Sequence, residues 1–303
     1  MSSITLRNLR YVEALARTGH FGRAADLCSV SQPALSMQIR ELEASLGQPL
    51  FYRSTRMVRP TGFGDRFILR AREILRAVDE LDDLARASTE AFSGRLGLGI
   101  IPTVGPYLLP RIIERLNARF PQADLHVRET VTPRLIEEIE NGTIDAAIVA
   151  LPVSEASFVE VPLFSERFVF VRPRGEEDRP APRPDALREM RLLLLEEGHC
   201  FRDQALSFCK LEGRAPRELL DGSSLSTLVQ MVGAGIGVTL IPEMAVPIET
   251  RSAEVSTTRF PEPEPSRTIG LVWRRSTPLD GHLRQIAELL EDLGTAAGHG
   301  QEH

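Results

Sequence analysis

Cysteine is scarce in this chain, with three in 303 residues. That scarcity excludes the disulfide framework of a small secreted domain, and in a reducing compartment such cysteines default to free thiols. Long apolar runs are missing too. No stretch reaches the roughly 18 uninterrupted apolar residues of a spanning helix. The start "MSSITLRNLRYVEALARTG" has no cationic segment leading into an apolar core and a small-residue cleavage site. A cytoplasmic protein with no membrane partner is the expectation. Catalytic signatures are also absent: there is no Walker loop, no G-x-S-x-G and no His/Glu pairing at metal spacing. A zinc site built from His199, Cys200 and Cys209 lacks a fourth ligand. No metal, no cofactor and no enzymatic activity are therefore expected. The glycine-rich "VGAGIGVTLIP" follows a helical pattern and leads into a strand, the reverse of the order a dinucleotide fingerprint needs, so it reads as a helix-terminating turn.

What the chain does hold is an ordinary globular composition, 42% hydrophobic and 26% charged, over a length that suits about two domains. The net charge of −6 is unevenly spread. Residues 1 to 60 carry eight arginines against four carboxylates, a net of +4, which leaves −10 for the rest. A basic module that meets phosphates, joined to an acidic body that does not, fits that division.

In the first module, Leu6, Leu9, Val12, Leu15 and Ala16 recur at helical spacing, "RTGHFG" interrupts them, and a short helical "RAADLC" follows. Next comes "SVSQPALSMQIRELEASLG". Ser31 as N-cap, Pro33 in the first turn and Gly47 as terminator bracket a helix over about 32–46. Leu35, Ile39, Leu42 and Leu46 bury one face, while Gln32, Pro33, Ser36, Met37 and Arg40 show on the other. Two short helices presenting such a face suit the major groove, with Gln32 placed for adenine and Arg40 for guanine or a phosphate. "QPLFYRSTRMVRPT" then alternates apolar and basic groups like a two-stranded wing, making Arg53, Arg56 and Arg59 phosphate contacts.

Together these residues closely resemble the winged helix-turn-helix of LysR-type transcriptional regulators, through the SQPALS segment and the LEASLG-x-x-LF-x-R element. The resemblance implies a transcription factor acting on double-stranded promoter DNA and on RNA polymerase.

From residue 62 to 93, Phe67, Ala71, Ile74, Val78, Leu81, Ala85, Ser88 and Phe92 step alternately by four and three, the 3.5-residue period of a two-helix seam. A homodimer joined along this helix is expected, and LysR-type proteins place their linker helix here. Beyond it, β-rich and helical runs alternate: LGLGI, PRIIERLNARF, LHVRE, RLIEEIENG, AAIVA. Such alternation argues for α/β architecture with parallel strands, where ligands lie beyond the strands' carboxyl ends. Thr103 and Thr132 both follow strands. The sequence is similar to the periplasmic-binding-protein-like effector domain of the family. That implies a winged helix-turn-helix over 1–61, a linker helix over 62–93 and a regulatory domain over 94–303. Subdomain I would cover about 94–163 and 270–294, subdomain II about 164–269, and the tail 295–303 reads as disordered.

Two of the three cysteines lie in "GHCFRDQALSFC". On one helix, nine residues at about 100° and about 1.5 Å each would set Cys200 and Cys209 on opposite faces roughly 13 Å apart, whereas a disulfide needs Cα atoms within about 7 Å. They bond only if the segment unwinds. Cys200 sits beside His199, near Arg202 and at a helix amino end, each of which favours thiolate. Two buried, inert thiols are the plain alternative, and that is the reading for Cys28.

The GHC-x-RDQA-x-x-FC element, with "IPTVGPYLLP", "SSLSTL" and "RTIGLVWRRSTPL", resembles the peroxide-sensing members of the LysR type along nearly the full chain. The resemblance implies that Cys200 is the peroxidatic and Cys209 the resolving cysteine of a reversible disulfide. It places Thr103, Thr132, His199, Arg202 and Asp203 around a hydrogen peroxide pocket. It also implies a homotetramer, activation of antioxidant genes and a thioredoxin- or glutaredoxin-type reductant. The rivals are a LysR-type regulator with a metabolite in its crevice and, against the pattern of the first module, a thiol peroxidase.

Overall fold

The computed structural model describes residues 4–53, 57–87, 92–175, 179–187, 189–208 and 219–294. The chain divides into two compact units, Met1–Ala85 and Arg86–His303.

The first unit opens with three helices, α1 (Leu6–Thr18), α2 (Phe21–Leu27) and α3 (Gln32–Leu46). Local chemistry sets their ends. Thr5 and Asn8 form a reciprocal capping box at α1, and the His20 ring nitrogen accepts from the amides of Gly22 and Arg23 at α2. Ser31 accepts from Ala34 N at α3, and Gly47, in the left-handed region at φ 66°, ends it. Tyr11, Val12, Leu15, Ala24, Leu35, Ile39 and Leu42 form one buried core. A hairpin follows, β1 (Phe51–Arg53) against β2 (Val58–Pro60), antiparallel. Thr61, whose hydroxyl accepts from Gly64 N, starts α4 (Gly62–Ala87).

Helix α4 is described as far as Ala87, and residues 88–91 lie outside the described residues. Not every position of the expected seam is free for a partner helix. Phe67 packs against the core of its own module and Ala71 is buried, while Phe92 lies in the core of the second unit against Phe120. Ile74, Leu81 and Leu84 stay exposed. Ser88 lies outside the described residues.

The second unit runs through β3 (Gly94–Ile100), α5 (Gly105–Arg119), β4 (Ala123–Glu129), α6 (Thr132–Glu140), β5 (Ala146–Leu151), β6 (Phe158–Pro173), α7 (Pro184–Leu187), β7 (Leu192–Leu195) and α8 (Cys200–Phe208). After residues 209–218 come β8 (Leu219–Gly222), α9 (Leu225–Gly233), β9 (Thr239–Pro242), α10 (Val246–Glu249), β10 (Val255–Arg259), β11 (Ser266–Arg274) and α11 (Asp280–Leu290). The main sheet has the order β10-β6-β11-β5-β3-β4, with β9 also on β6. The alternation of runs argues for parallel strands, but only part of the sheet is parallel: β3 pairs in parallel with β4 and β5, and the separate β7–β8 pair is parallel. The long β6 and β11 run antiparallel to their neighbours.

Strand β6 divides the unit. Its first half pairs with β11 and packs into a core holding Phe92, Phe120, Phe158 and Trp273. Its second half pairs with β9 and β10 beside a core holding Phe168, Phe170, Phe201 and Leu192 to Leu195. Two subdomains, called I and II below, share β6 and the return through β11. The "VGAGIGVTLIP" segment ends α9, turns through Gly235 and enters β9.

Candidate functional site

Two regions carry chemistry, one in each unit. In the first, burying Leu35, Ile39 and Leu42 turns the opposite face of α3 outward, so Gln32, Pro33, Met37 and Arg40 are exposed and Ser36 is half-buried. In the hairpin, Tyr52 and Arg59 are exposed. Arg53 stands on β1, and its side chain and the whole of Arg56 lie outside the described residues.

In the second, the buried "LLLL" of β7 ends at Leu195, and the chain must turn before it can continue as a helix. Gly198, at φ 95°, supplies a conformation that side chains with a Cβ resist. Helix α8 then begins at Cys200, with His199's carbonyl accepting from Arg202 N at 2.9 Å. Phe201, Arg202 and Ala205 form its buried face, and Phe201 meets Phe168 edge-on, ring centroids 4.9 Å apart. Cys200 is half-buried and free. Its helix belongs to subdomain II, yet its side chain packs against the core of subdomain I. The thiol therefore stands at the junction of the two.

The groups around α8 differ in part from the sequence reading. Burial lowers the His199 pKa, with Glu196 pulling the other way. At neutral pH the imidazole is uncharged, so it offers a hydrogen bond and not the cationic field expected of it. Arg202 is engaged elsewhere: one guanidinium nitrogen donates to Leu195 O at 2.7 Å and to Asp221 Oδ1 at 2.5 Å. Asp203 is exposed on the first turn. Cys209 lies outside the described residues.

A cleft of about 330 Å³ opens between the subdomains. Thr103, Tyr107, Glu129, Thr130 and Val131 line it from one side, and Leu195, His199, Ser223 to Ser226 and Glu249 from the other. Thr103 and His199 thus meet at one cleft, whereas Thr132, Arg202 and Asp203 are not on its lining. Thr132 begins α6, and among the described residues its buried Oγ1 has no hydrogen-bond partner.

Four groups here escaped the sequence reading. Arg267, fully buried, donates to Thr103 Oγ1 at 2.7 Å and to Thr103 O at 3.0 Å. It also pairs with the buried Glu166 at 2.7 Å and stands over the Phe201 ring, 5.4 Å from its centre. Because Arg267 fills an acceptor position on the Thr103 hydroxyl, that hydroxyl keeps its own proton for donation. Burial raises the Glu166 carboxyl while Arg267 lowers it. Tyr107 donates to Glu249 at 2.6 Å. The one available signal was an arginine inside the otherwise apolar strand "RTIGLVW".

A DNA-type helix-turn-helix followed by a two-subdomain α/β unit with a central cleft defines a LysR-type transcription regulator, and the chain belongs to that family. The family model "Bacterial regulatory helix-turn-helix protein, lysR family" matches residues 6–65, and "LysR substrate binding domain" matches 89–294. Within the family, its place is among the OxyR regulators. The chain is 43% identical over 293 residues to the DNA-binding transcriptional dual regulator OxyR of Escherichia coli (strain K12), covering 95% of each. Full-length OxyR of Pseudomonas aeruginosa, carrying a cysteine-to-aspartate change, superposes with a TM-score of 0.75 at 36% identity, over 97% of this chain and 96% of that one. A cysteine-to-serine mutant of Corynebacterium glutamicum OxyR, solved bound to H2O2, does so with 0.66 at 34%, over 97% and 93%.

Proposed function

We propose that this protein is a cytoplasmic DNA-binding regulator that senses hydrogen peroxide through a reversible Cys200–Cys209 disulfide and activates antioxidant genes. The observation that carries the reading is the position of Cys200: first residue of α8, half-buried, at the seam of two subdomains. The thiolate attacks one peroxide oxygen, the O–O bond breaks, and water leaves once the departing oxygen takes a proton. The Cys209 thiol attacks the sulfur of the resulting sulfenic acid, forming the S–S bond while the S–O bond breaks and the hydroxyl leaves with a proton as a second water. Two thiols are oxidised and one peroxide is reduced to two waters.

Helix geometry makes that oxidation a conformational event. Eight steps from Cys200 to Phe208 rise about 12 Å, and one further residue shifts the chain by at most about 3.8 Å, which leaves more than the roughly 7 Å a disulfide spans. Helix α8 therefore has to unwind for the bond to close. A relative bound to H2O2, and relatives named hydrogen peroxide-inducible genes activators, support the assignment.

The same reading supplies the partners. The α3 face and the wing meet promoter DNA, and the exposed Ile74, Leu81 and Leu84 of α4 pack against a second copy, a pair of such dimers making a tetramer. RNA polymerase receives the signal, and a thioredoxin- or glutaredoxin-type reductant resets it. The chain acts as a regulator and not as an enzyme. A second reading has one observation in its favour: the 330 Å³ cleft is far larger than peroxide and suits a small metabolite.

Stoichiometric peroxide added to reduced protein, with disulfides mapped by mass spectrometry and Cys200→Ser as control, separates the readings. A Cys200–Cys209 linkage with an altered operator footprint supports peroxide sensing. No linkage and an unchanged footprint overturns it in favour of the metabolite, and catalytic turnover with thioredoxin favours a peroxidase.

A further inference from the structure

The cleft holds a carboxylate that ties its two sides together. Glu249, at the end of α10, is only 8% exposed. One of its oxygens accepts from the Tyr107 hydroxyl at 2.6 Å and the other from the Ser226 hydroxyl at 2.5 Å. Tyr107 comes from α5 in subdomain I, whereas Ser226 and Glu249 come from α9 and α10 in subdomain II. Tyr107 packs against both apolar cores. Burial and the neighbouring Glu249 hold its hydroxyl well above the ordinary tyrosine range, so it remains a donor.

This junction connects to the redox helix through a short path of named contacts. Arg202, in the first turns of α8, holds Asp221 on β8. The chain runs directly from β8 into Ser224, which caps α9, and then to Ser226. A rearrangement that unwinds α8 removes Arg202 from Asp221 and releases the end of β8 that carries Ser226 to Glu249. Opening the cleft in turn admits water to Glu249, so losing the tyrosine leaves no unsatisfied buried charge. An element with two satisfied arrangements is what a switch requires.

We propose that the Tyr107–Glu249–Ser226 contact is a clasp between the subdomains that is closed in the dithiol state and broken when α8 unwinds, so that it sets how readily Cys200 is oxidised. The inference rests on the peroxide-sensing reading and adds the device that couples the disulfide to subdomain movement. Tyr107→Phe removes the hydroxyl while keeping the ring between the two cores. It weakens the dithiol state and leaves the disulfide state as it was.

The test equilibrates full-length protein with mixtures of reduced and oxidised glutathione. There, one glutathione disulfide is reduced to two thiols for each Cys200–Cys209 bond formed, and mass spectrometry reads the disulfide fraction. Tyr107→Phe is expected to shift the equilibrium toward the disulfide by about tenfold, a midpoint about 30 mV more negative. Ser226→Ala, which removes the second hydrogen bond holding Glu249 in place within subdomain II, shifts it in the same direction by a smaller factor. A shift of threefold or more toward the disulfide in Tyr107→Phe supports the clasp. A smaller shift, or one toward the dithiol, overturns it while leaving peroxide sensing in place. Wild-type protein that forms no Cys200–Cys209 bond overturns the peroxide-sensing reading and the clasp together.

Discussion

Arg202 and Asp221 stand 2.5 Å apart, and the same guanidinium nitrogen reaches Leu195 O at 2.7 Å. One side chain therefore ties α8 to the carboxyl ends of both strands of the β7–β8 pair. The Arg202 side chain is 11% exposed and Asp221 43%, so the ion pair is partly screened and the bond to the Leu195 carbonyl matters at least as much. Arg202→Gln is expected to lower the stability of the reduced protein by about 1–2 kcal/mol and to speed amide exchange across residues 200–208. Denaturant unfolding and hydrogen exchange of the reduced protein check both.

His199 gives the regulatory unit a pH dependence of known sign. Burial lowers its pKa below the ordinary 6.5. The unfolded chain thus takes up a proton that the folded chain resists. The stabilisation is fully present above about 6.5 and is lost as the pH falls below it. Thermal melts of reduced protein from about pH 7.5 down to about 5.5 should show a decline that His199→Gln flattens.

Cys28 is set apart from the switch. Burial raises its pKa and Glu13 raises it further, against Arg17 and Arg10. At neutral pH it is a thiol, hence a poor nucleophile. Iodoacetamide should label Cys200 well before Cys28 in the folded reduced protein, as read by mass spectrometry, and Cys28→Ser should respond to peroxide as the parent does.

On α3, Arg40 and Gln32 are exposed, and on the hairpin Arg59 is exposed; in the proposed function the first two read bases and the third meets a phosphate. Arg40→Ala is expected to cost about 1–3 kcal/mol on a specific operator and to relax the preference at one base pair. Arg59→Ala should weaken all duplexes alike and reduce the slope of log K against log salt by about 1. Binding titrations at several salt concentrations separate the two effects.

Leu81 is 63% exposed on α4. In the proposed dimer a glutamate there puts like charges face to face across the two-fold seam, so Leu81→Glu should shift the assembly toward monomer in sedimentation velocity, with the helix-turn-helix still folded.

How far the sequence could be read depended on how local the deciding forces were. Helix α3 was legible because Ser31, Pro33 and Gly47 fix its ends within their own neighbourhood. The alternating run in the second unit was legible as α/β, but the antiparallel pairing of β11 depends on where the chain returns, which no local pattern encodes. Along α4 a 3.5-residue spacing marks apolar positions without saying which partner claims them, and Phe67 and Phe92 went to two different cores. Least legible was the cleft. Arg267 and Thr103 are 164 residues apart and Tyr107 and Glu249 are 142 apart, and nothing in either stretch announces the other.

The central claim, that peroxide chemistry at Cys200 is converted into structure by unwinding α8, is tested most directly by amide hydrogen exchange over residues 200–208 before and after stoichiometric peroxide, with the disulfide verified on the same sample. Protection of α8 in the reduced protein that is lost as the Cys200–Cys209 bond forms is the predicted result. A bond that forms while those amides stay protected would contradict the account.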